Sequence, residues 1–439
     1  VNIPIRGVAA VRVCIAPDRF DGDLTAPEAA AAMARGVERA AQELDIKVRI
    51  DACPVASGGA GTLDALAVAA AFKPEDDEVE GPLGEPVTGR WGRVRKKRSR
   101  LVTATTLFVQ AVLIIWLTLM YTAYLLLFGG RRSVAVVDSA SVVGPGLAPD
   151  GRRDPSRHST YGLGRLIRLA FRARSKRVVI ALGESASCDG GVGMAAGLGV
   201  KFYDHDGALI ERPTGADLRL IGRIDPAGID PGINGAKLFA ACAVDSPLTG
   251  THGAARKHAP TQGATPEQIE DLDLGLEALV RLCKEAGLDA DPDAPGAGAG
   301  GGLGFALATF CGATLRPGAE TVLELIRFQS RIESADLVLT GAGRFDSETL
   351  RGSAPLAVAT TAARQGVPVI ALAGRVGAPF DASRSHRCED WEIPTDDADL
   401  FERVTPIPGA GEPGESTGGV TPELLEQAAL EAVRGWLTG

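Results

Sequence analysis

Four times along this chain an apolar run passes into a glycine-rich turn and then into a helix-compatible stretch. The turns are PVASGGAGTLDAL after Ile50, LGESASCDGGVGM after Ile180, PGAGAGGGLGFAL before Phe310, and ADLVLTGAGRFDSETLRG from Ala335 onward. A strand that feeds a helix through a short turn builds parallel sheets, so the repeat argues for an α/β fold. Each such turn also gathers unpaired backbone N–H groups and the positive end of a helix dipole around a small volume, which suits an anion. The expectation is that the four turns converge on one phosphate-handling cleft.

Read in order, residues 11–16 form a buried strand that ends at Pro17 and Asp18, with a turn at Gly22. Thr25 caps a helix over 26–44, with Pro27 in its first turn and Glu28 completing a capping box. A strand at 47–55 and a helix at 62–72 extend the β-α-β-α start, and the acidic run 75–80 marks a boundary. Further strands are expected at 177–182, 237–244 and 367–373. Helices are expected at 161–173, from Pro266 to about Ala286, at 320–331, 347–363 and 423–437. Pro406 to Gly419 reads as a Pro/Gly-rich linker.

Between two strand-like runs at 86–92 and 133–139 lies a segment of different character. Residues 101–128 carry no charge, no Pro and no Gly, with RVRKKRSR before them and Arg131 and Arg132 after. Their length would cross a bilayer. A single crossing, however, would put two pairing strands in different compartments. The preferred reading is an insertion, 93–132, lying on or dipping into a membrane surface with its basic run on anionic headgroups. The alternatives are a helix in an oligomer interface and sequence extraneous to the fold.

With 439 residues, two or three domains are expected, and 45% hydrophobic residues permit real cores. A net charge of −9 argues against nucleic acid as the main partner. Seven cysteines without C-x-x-C spacing fit a reducing, cytoplasmic setting without disulfides, and the first residues lack the apolar core of a secretory signal.

No G-x-x-x-x-G-K-[ST] loop is present, which excludes a P-loop enzyme. Arg344 offers a planar donor fork, and Asp346 can hold a metal, accept a proton or cap a helix. Asp189, ahead of Gly190 and Gly191, suits either a hydroxyl or magnesium partner or a helix cap. Asp245, after a strand, suits a metal or a solvated turn. The five histidines show no metal spacing.

In their order along the chain, the blocks APDRFDGDLTAPEAA, PVASGGAGTLDAL, GPLGEPV, SASCDGGVGM, ACAVDSPLTG, QGATPEQIEDLD, PGAGAGGGLG and TGAGRFDSETLRGSAP resemble the first type of glycerate kinase, ATP-dependent enzymes that phosphorylate D-glycerate. The resemblance runs from about Val11 to the C-terminal helix. It implies two α/β domains with a cleft between them: a flavodoxin-like domain with a parallel sheet, 11–77 plus 295–439, and an inserted mixed α/β domain, 78–294. ATP, Mg²⁺ and glycerate are the implied ligands. Asp189, Arg344 and Asp346 are the implied catalytic residues, with Asp245 and Asp346 for magnesium. Asp18, Gly22, Gly58, Gly59, Ser185, Gly190, Gly191, Gly300, Gly301 and Gly343 are the implied binding positions.

The chain departs from the family pattern at chemical positions. Asp21 stands for a lysine, Arg19 and Asp23 for serines, Ser57 for Asp and Ala60 for Glu. Glu184, Cys188, Ala243, Ser246, Ala342 and Ser353 replace Gly, Asn, Asp, Asn, Glu and Lys. Phosphoryl transfer depends on cations and metal-binding carboxylates. The substitutions therefore raise a second expectation, an impaired relative that binds a small anion or a partner.

Overall fold

The computed structural model describes residues 10–20, 24–94, 134–149, 151–172, 175–345, 353–376, 400–408 and 419–438. Gly22, Asp346 and the apolar stretch 101–128 lie outside the described residues, as do Asp21 and Asp23.

The first crossover forms as its sequence dictates. Thr25 accepts the Glu28 N–H at 3.4 Å, and the Glu28 carboxylate accepts the Thr25 N–H at 3.0 Å. This box starts α1 (Ala26–Glu43) between β1 (Val11–Ile15) and β2 (Val48–Ala52). Then follow α2 (Thr62–Ala69), β3 (Phe72–Glu80), β4 (Pro86–Val94), β5 (Val134–Asp138), α3 (Ala140–Val143), α4 (Tyr161–Arg172) and β6 (Arg177–Leu182). The middle of the chain holds α5 (Val192–Leu198), β7 (Lys201–Asp204), β8 (Leu209–Ile210), β9 (Ile221–Asp225), β10 (Lys237–Cys242), α6 (Ala254–His258) and α7 (Pro266–Glu285). It closes with α8 (Ala299–Cys311), β11 (Thr314–Pro317), α9 (Gly318–Ile326), α10 (Phe328–Ile332), β12 (Leu337–Phe345), α11 (Ala354–Ala363), β13 (Val369–Val376), β14 (Arg403–Pro406) and α12 (Pro422–Thr438).

Two main sheets result. Sheet A has the order β14-β13-β12-β1-β2 and is parallel throughout, the flavodoxin-like order with its switch point between β1 and β12. Sheet B has the order β11-β10-β6-β5-β4-β3. Its first four strands are parallel, and β4 runs antiparallel to both β5 and β3. A small antiparallel sheet, β8-β7-β9, completes the fold. One buried cluster joins the two main sheets: Cys14, Val55 and Val338 from the sheet A side meet Val136, Val179 and Ala241 of sheet B, with Leu66, Val322 and Val358 of the helices among them. The architecture is thus two α/β units with a shared apolar seam.

Several expectations shift in detail. The acidic run expected as a boundary is β3, an edge strand whose charges and Pro74 suit a rim that must not recruit another strand. Its partner β4 pairs on the other side with β5, as the sequence indicates. The helix expected over 62–72 stops at Ala69, because Phe72 opens β3. The glycines after Thr340, expected as a turn, are part of strand β12. It continues through Gly341 and Gly343 to Phe345, held by pairing with β13. The helix expected from Ser347 is described only from Ala354, where Ser353 caps it by accepting the Leu356 N–H. Arg327, at φ +58°, breaks the segment 320–331 into α9 and α10.

Candidate active site

At the switch point the turn after β1 is held against β12. The Asp18 N–H donates to Gly341 O at 2.9 Å, and the Gly343 N–H donates to Arg19 O at 3.4 Å. The carboxyl ends of strands bordering such a crossing are where open parallel sheets bind ligands. Here the surface encloses a cavity of about 250 Å³, lined among others by Asp18, Arg19, Thr25, Ala60, Gly61 and Asp64. The first residues of α1 and α2 both reach it.

Asp18 is the organising group. One carboxylate oxygen accepts its neighbour's N–H, from Arg19, at 2.7 Å, and the other accepts the Ser57 hydroxyl at 2.8 Å. Burial pushes its pKa up, and these two bonds and the Arg19 charge pull back less strongly. Ser57 Oγ in turn accepts the Ala354 N–H at the start of α11, at 3.1 Å. Asp64, which also lines the cavity, takes the Arg90 guanidinium at 2.8 Å. Beyond Arg90 lies Asp138 at the end of β5. Burial lifts Asp138 to about 6, with the Ala140 N–H and Arg90 opposing the rise.

The glycine turns form two groups. The turn after β2 touches the one after β6, since a Cβ built on Gly59 would lie 3.0 Å from Gly183 Cα. Gly58 and Ser57 lie against the start of α9. The Asp18, Ser57, Gly58, Gly59 and Gly343 positions are therefore contiguous around the switch point, and Gly183 joins them to the Ser185 turn, where the Ser187 N–H donates to Ser185 Oγ.

Gly190, Gly191, Gly300 and Gly301 belong to a second, fully covered junction. The Gly190 N–H donates to Gly301 O at 3.0 Å. Asp189 is completely buried there and accepts from the Thr160 N–H and hydroxyl and from the N–H groups of Gly191 and Gly193, at 2.8–3.2 Å. Of the two roles read from sequence, this is the geometry of a cap on α5, with burial raising its pKa despite those four donors. His158 ties the same junction to the preceding loop, its ring nitrogens meeting Ala186 O at 2.8 Å and Arg152 O at 3.1 Å.

Asp245 follows β10, three residues past its last residue Cys242, and Arg344 lies exposed on β12. Among the described residues no group of three or more His, Cys, Asp or Glu is placed to hold a metal, and no helix is long and apolar enough to cross a membrane. Sequence reasoning missed Asp64, Arg90 and Asp138. An aspartate closing the apolar run VAVVD was the available signal for Asp138. Several positions that depart from the family pattern, Arg19, Ser57 and Ala60 among them, gather at the pocket or beside it.

Comparison with known proteins agrees with this architecture. The model of the glycerate kinase family matches residues 13–397. A glycerate kinase from Halalkalibacterium halodurans is 34% identical over 426 residues, covering 97% of this chain and 98% of the relative. A glycerate 2-kinase from Escherichia coli is 33% identical over 365 residues, covering 83% and 85%. A solved structure described as a glycerate kinase 2 from Salmonella typhimurium LT2 superposes with a TM-score of 0.72 at 30% identity, covering 98% of each chain. With the family model spanning most of its length and its flavodoxin-like sheet in place, the chain belongs to the glycerate kinase family.

Proposed function

We propose that the protein transfers the γ-phosphoryl group of ATP to a hydroxyl of D-glycerate, in the pocket at the carboxyl ends of β1 and β2. The observation that carries this reading is the meeting of Asp18, Arg19 and Asp64 on one small cavity at the switch point, in a chain of this family. A cavity of about 250 Å³ suits a small hydroxy acid. Phosphoryl transfer needs positioning and charge neutralisation far more than covalent help. Asp18, its proton affinity raised by burial, takes the proton of the attacking hydroxyl. Arg19 and the positive end of α1 balance the substrate carboxylate.

Magnesium is commonly held by one or two carboxylates together with phosphate oxygens, and the donor set on this pocket fits that pattern. Asp64 would hold it, with Asp245 a second candidate after β10. When bound, the ion neutralises charge on the phosphates. The N–H groups around Gly58 and Gly59, and Arg344 on β12, face the nucleotide in this reading. The name of the Escherichia coli relative favours the 2-hydroxyl as acceptor. In this reading the second unit is the one built on sheet B, which takes β3 from Phe72 and β11 as far as Pro317, so it runs wider than 78–294.

Coupled detection of ADP with D-glycerate tests the proposal. The wild-type chain turns over, and Asp18→Asn lowers kcat/KM by about 100-fold or more, the scale of losing a general base. A wild-type chain that releases no ADP above a glycerate-free control overturns it.

A further inference from the structure

Ser57 forms the middle of a three-part chain of hydrogen bonds. The Ala354 N–H, at the start of α11, donates to Ser57 Oγ at 3.1 Å, and the Ser57 hydroxyl donates to Asp18 Oδ2 at 2.8 Å. Because Oγ already accepts from the helix, its proton is directed at the carboxylate. The hydroxyl also becomes a better donor, since one hydrogen bond polarises the next. The other Asp18 oxygen is fixed by the Arg19 N–H at 2.7 Å. Two bonds on two oxygens leave the carboxylate little freedom to rotate.

We propose that Ser57 is a positioning residue for Asp18: it aims the carboxylate into the pocket and keeps it ionised by passing the polarity of the α11 N-terminus to it. This rests on the reading of Asp18 as the proton acceptor. Among the described residues, the charged groups sharing the pocket with Asp18 are Arg19 on its own turn and Asp64 on α2. Arg19 favours the ionised form. Removing the Ser57 hydroxyl takes away a donor that favours the ionised carboxylate, so Asp18 holds its proton to higher pH.

Two measurements on the full chain, made with wild type, Ser57→Ala and Ser57→Thr, test the link. In the first, the Asp18 carboxyl is followed by ¹³C NMR against pH without substrate or nucleotide. Its midpoint moves to higher pH in Ser57→Ala and returns toward wild type in Ser57→Thr, which restores the hydroxyl. In the second, the acid limb of kcat/KM for ADP release moves the same way, and kcat/KM below neutral pH falls about 10- to 100-fold in Ser57→Ala, the scale of a hydrogen bond to a charged group. A folded Ser57→Ala chain whose Asp18 midpoint is unchanged overturns the proposal. A wild type without ADP release overturns the phosphotransfer reading alone, because the NMR titration still decides the role of Ser57.

Discussion

Asp138 shows how one buried carboxyl sets a pH dependence for the whole fold. Its side chain is almost wholly covered at the end of β5, and it keeps its proton to about pH 6 against an ordinary value of 3.8. Between those values the folded chain holds a proton that the unfolded chain has released. The stability from the neutral carboxyl is thus complete below about pH 3.8, is lost as pH rises through about 6, and stays lost above. The span corresponds to about 3 kcal/mol at most. Asp138→Asn removes this titration. Urea unfolding at pH 4 and pH 7.5 should show a smaller pH difference in the variant, and identical differences in both proteins would remove Asp138 as the cause. This residue was only weakly legible beforehand, since nothing in VAVVD distinguishes a solvated strand end from a covered one. Asp189 illustrates the converse. Its place before two glycines was visible, but only the fold reveals that four donors already surround it.

At the scale of elements, local chemistry was readable wherever the chain carries its own signal. The Thr25 and Thr265 capping boxes and the strand before Pro17 follow from residues within a few positions of each other. Departures occur where a distant partner decides. Neighbouring β13 carries β12 through its glycines, and β4 turns an acidic segment into an edge strand. The glycine-rich start of α8 is the sharpest case. Gly301 sits at φ +72°, and a Cβ there would lie 2.0 Å from Ser187 O, so its lack of a side chain serves the contact between two turns. Gly301→Ala should destabilise the protein by roughly 3 kcal/mol or more, combining left-handed strain with a backbone clash. A shift of the denaturant midpoint reads this directly, and a variant as stable as wild type would show that the two turns can separate without cost.

For the molecule as a whole, the closing element is α12, which returns to cover α1. Leu425, Ala429 and Val433 are buried there, and Glu426 pairs with Arg35 and Arg39 at 2.8 Å each. The ion pairs lie near the surface and contribute little, so the buried face is what matters. Removing residues 422–438 should expose the apolar side of α1 and sheet A, giving a chain that aggregates or binds a hydrophobic dye. A truncated chain that stays monodisperse with wild-type thermal unfolding would contradict that view. Sheet A also has an awkward ancestry in time. Its inner strand β1 is made first, yet its partner β12 is made near the end: the Arg12 N–H donates to an Asp336 oxygen 324 residues downstream. At elongation rates of about 5–20 residues per second the newborn strand waits on the order of 15–65 s for that neighbour. Throughout that interval one ribosome-borne edge, rich in valine and isoleucine, stays open to any passing strand, which makes the emerging polypeptide a natural client for holding chaperones.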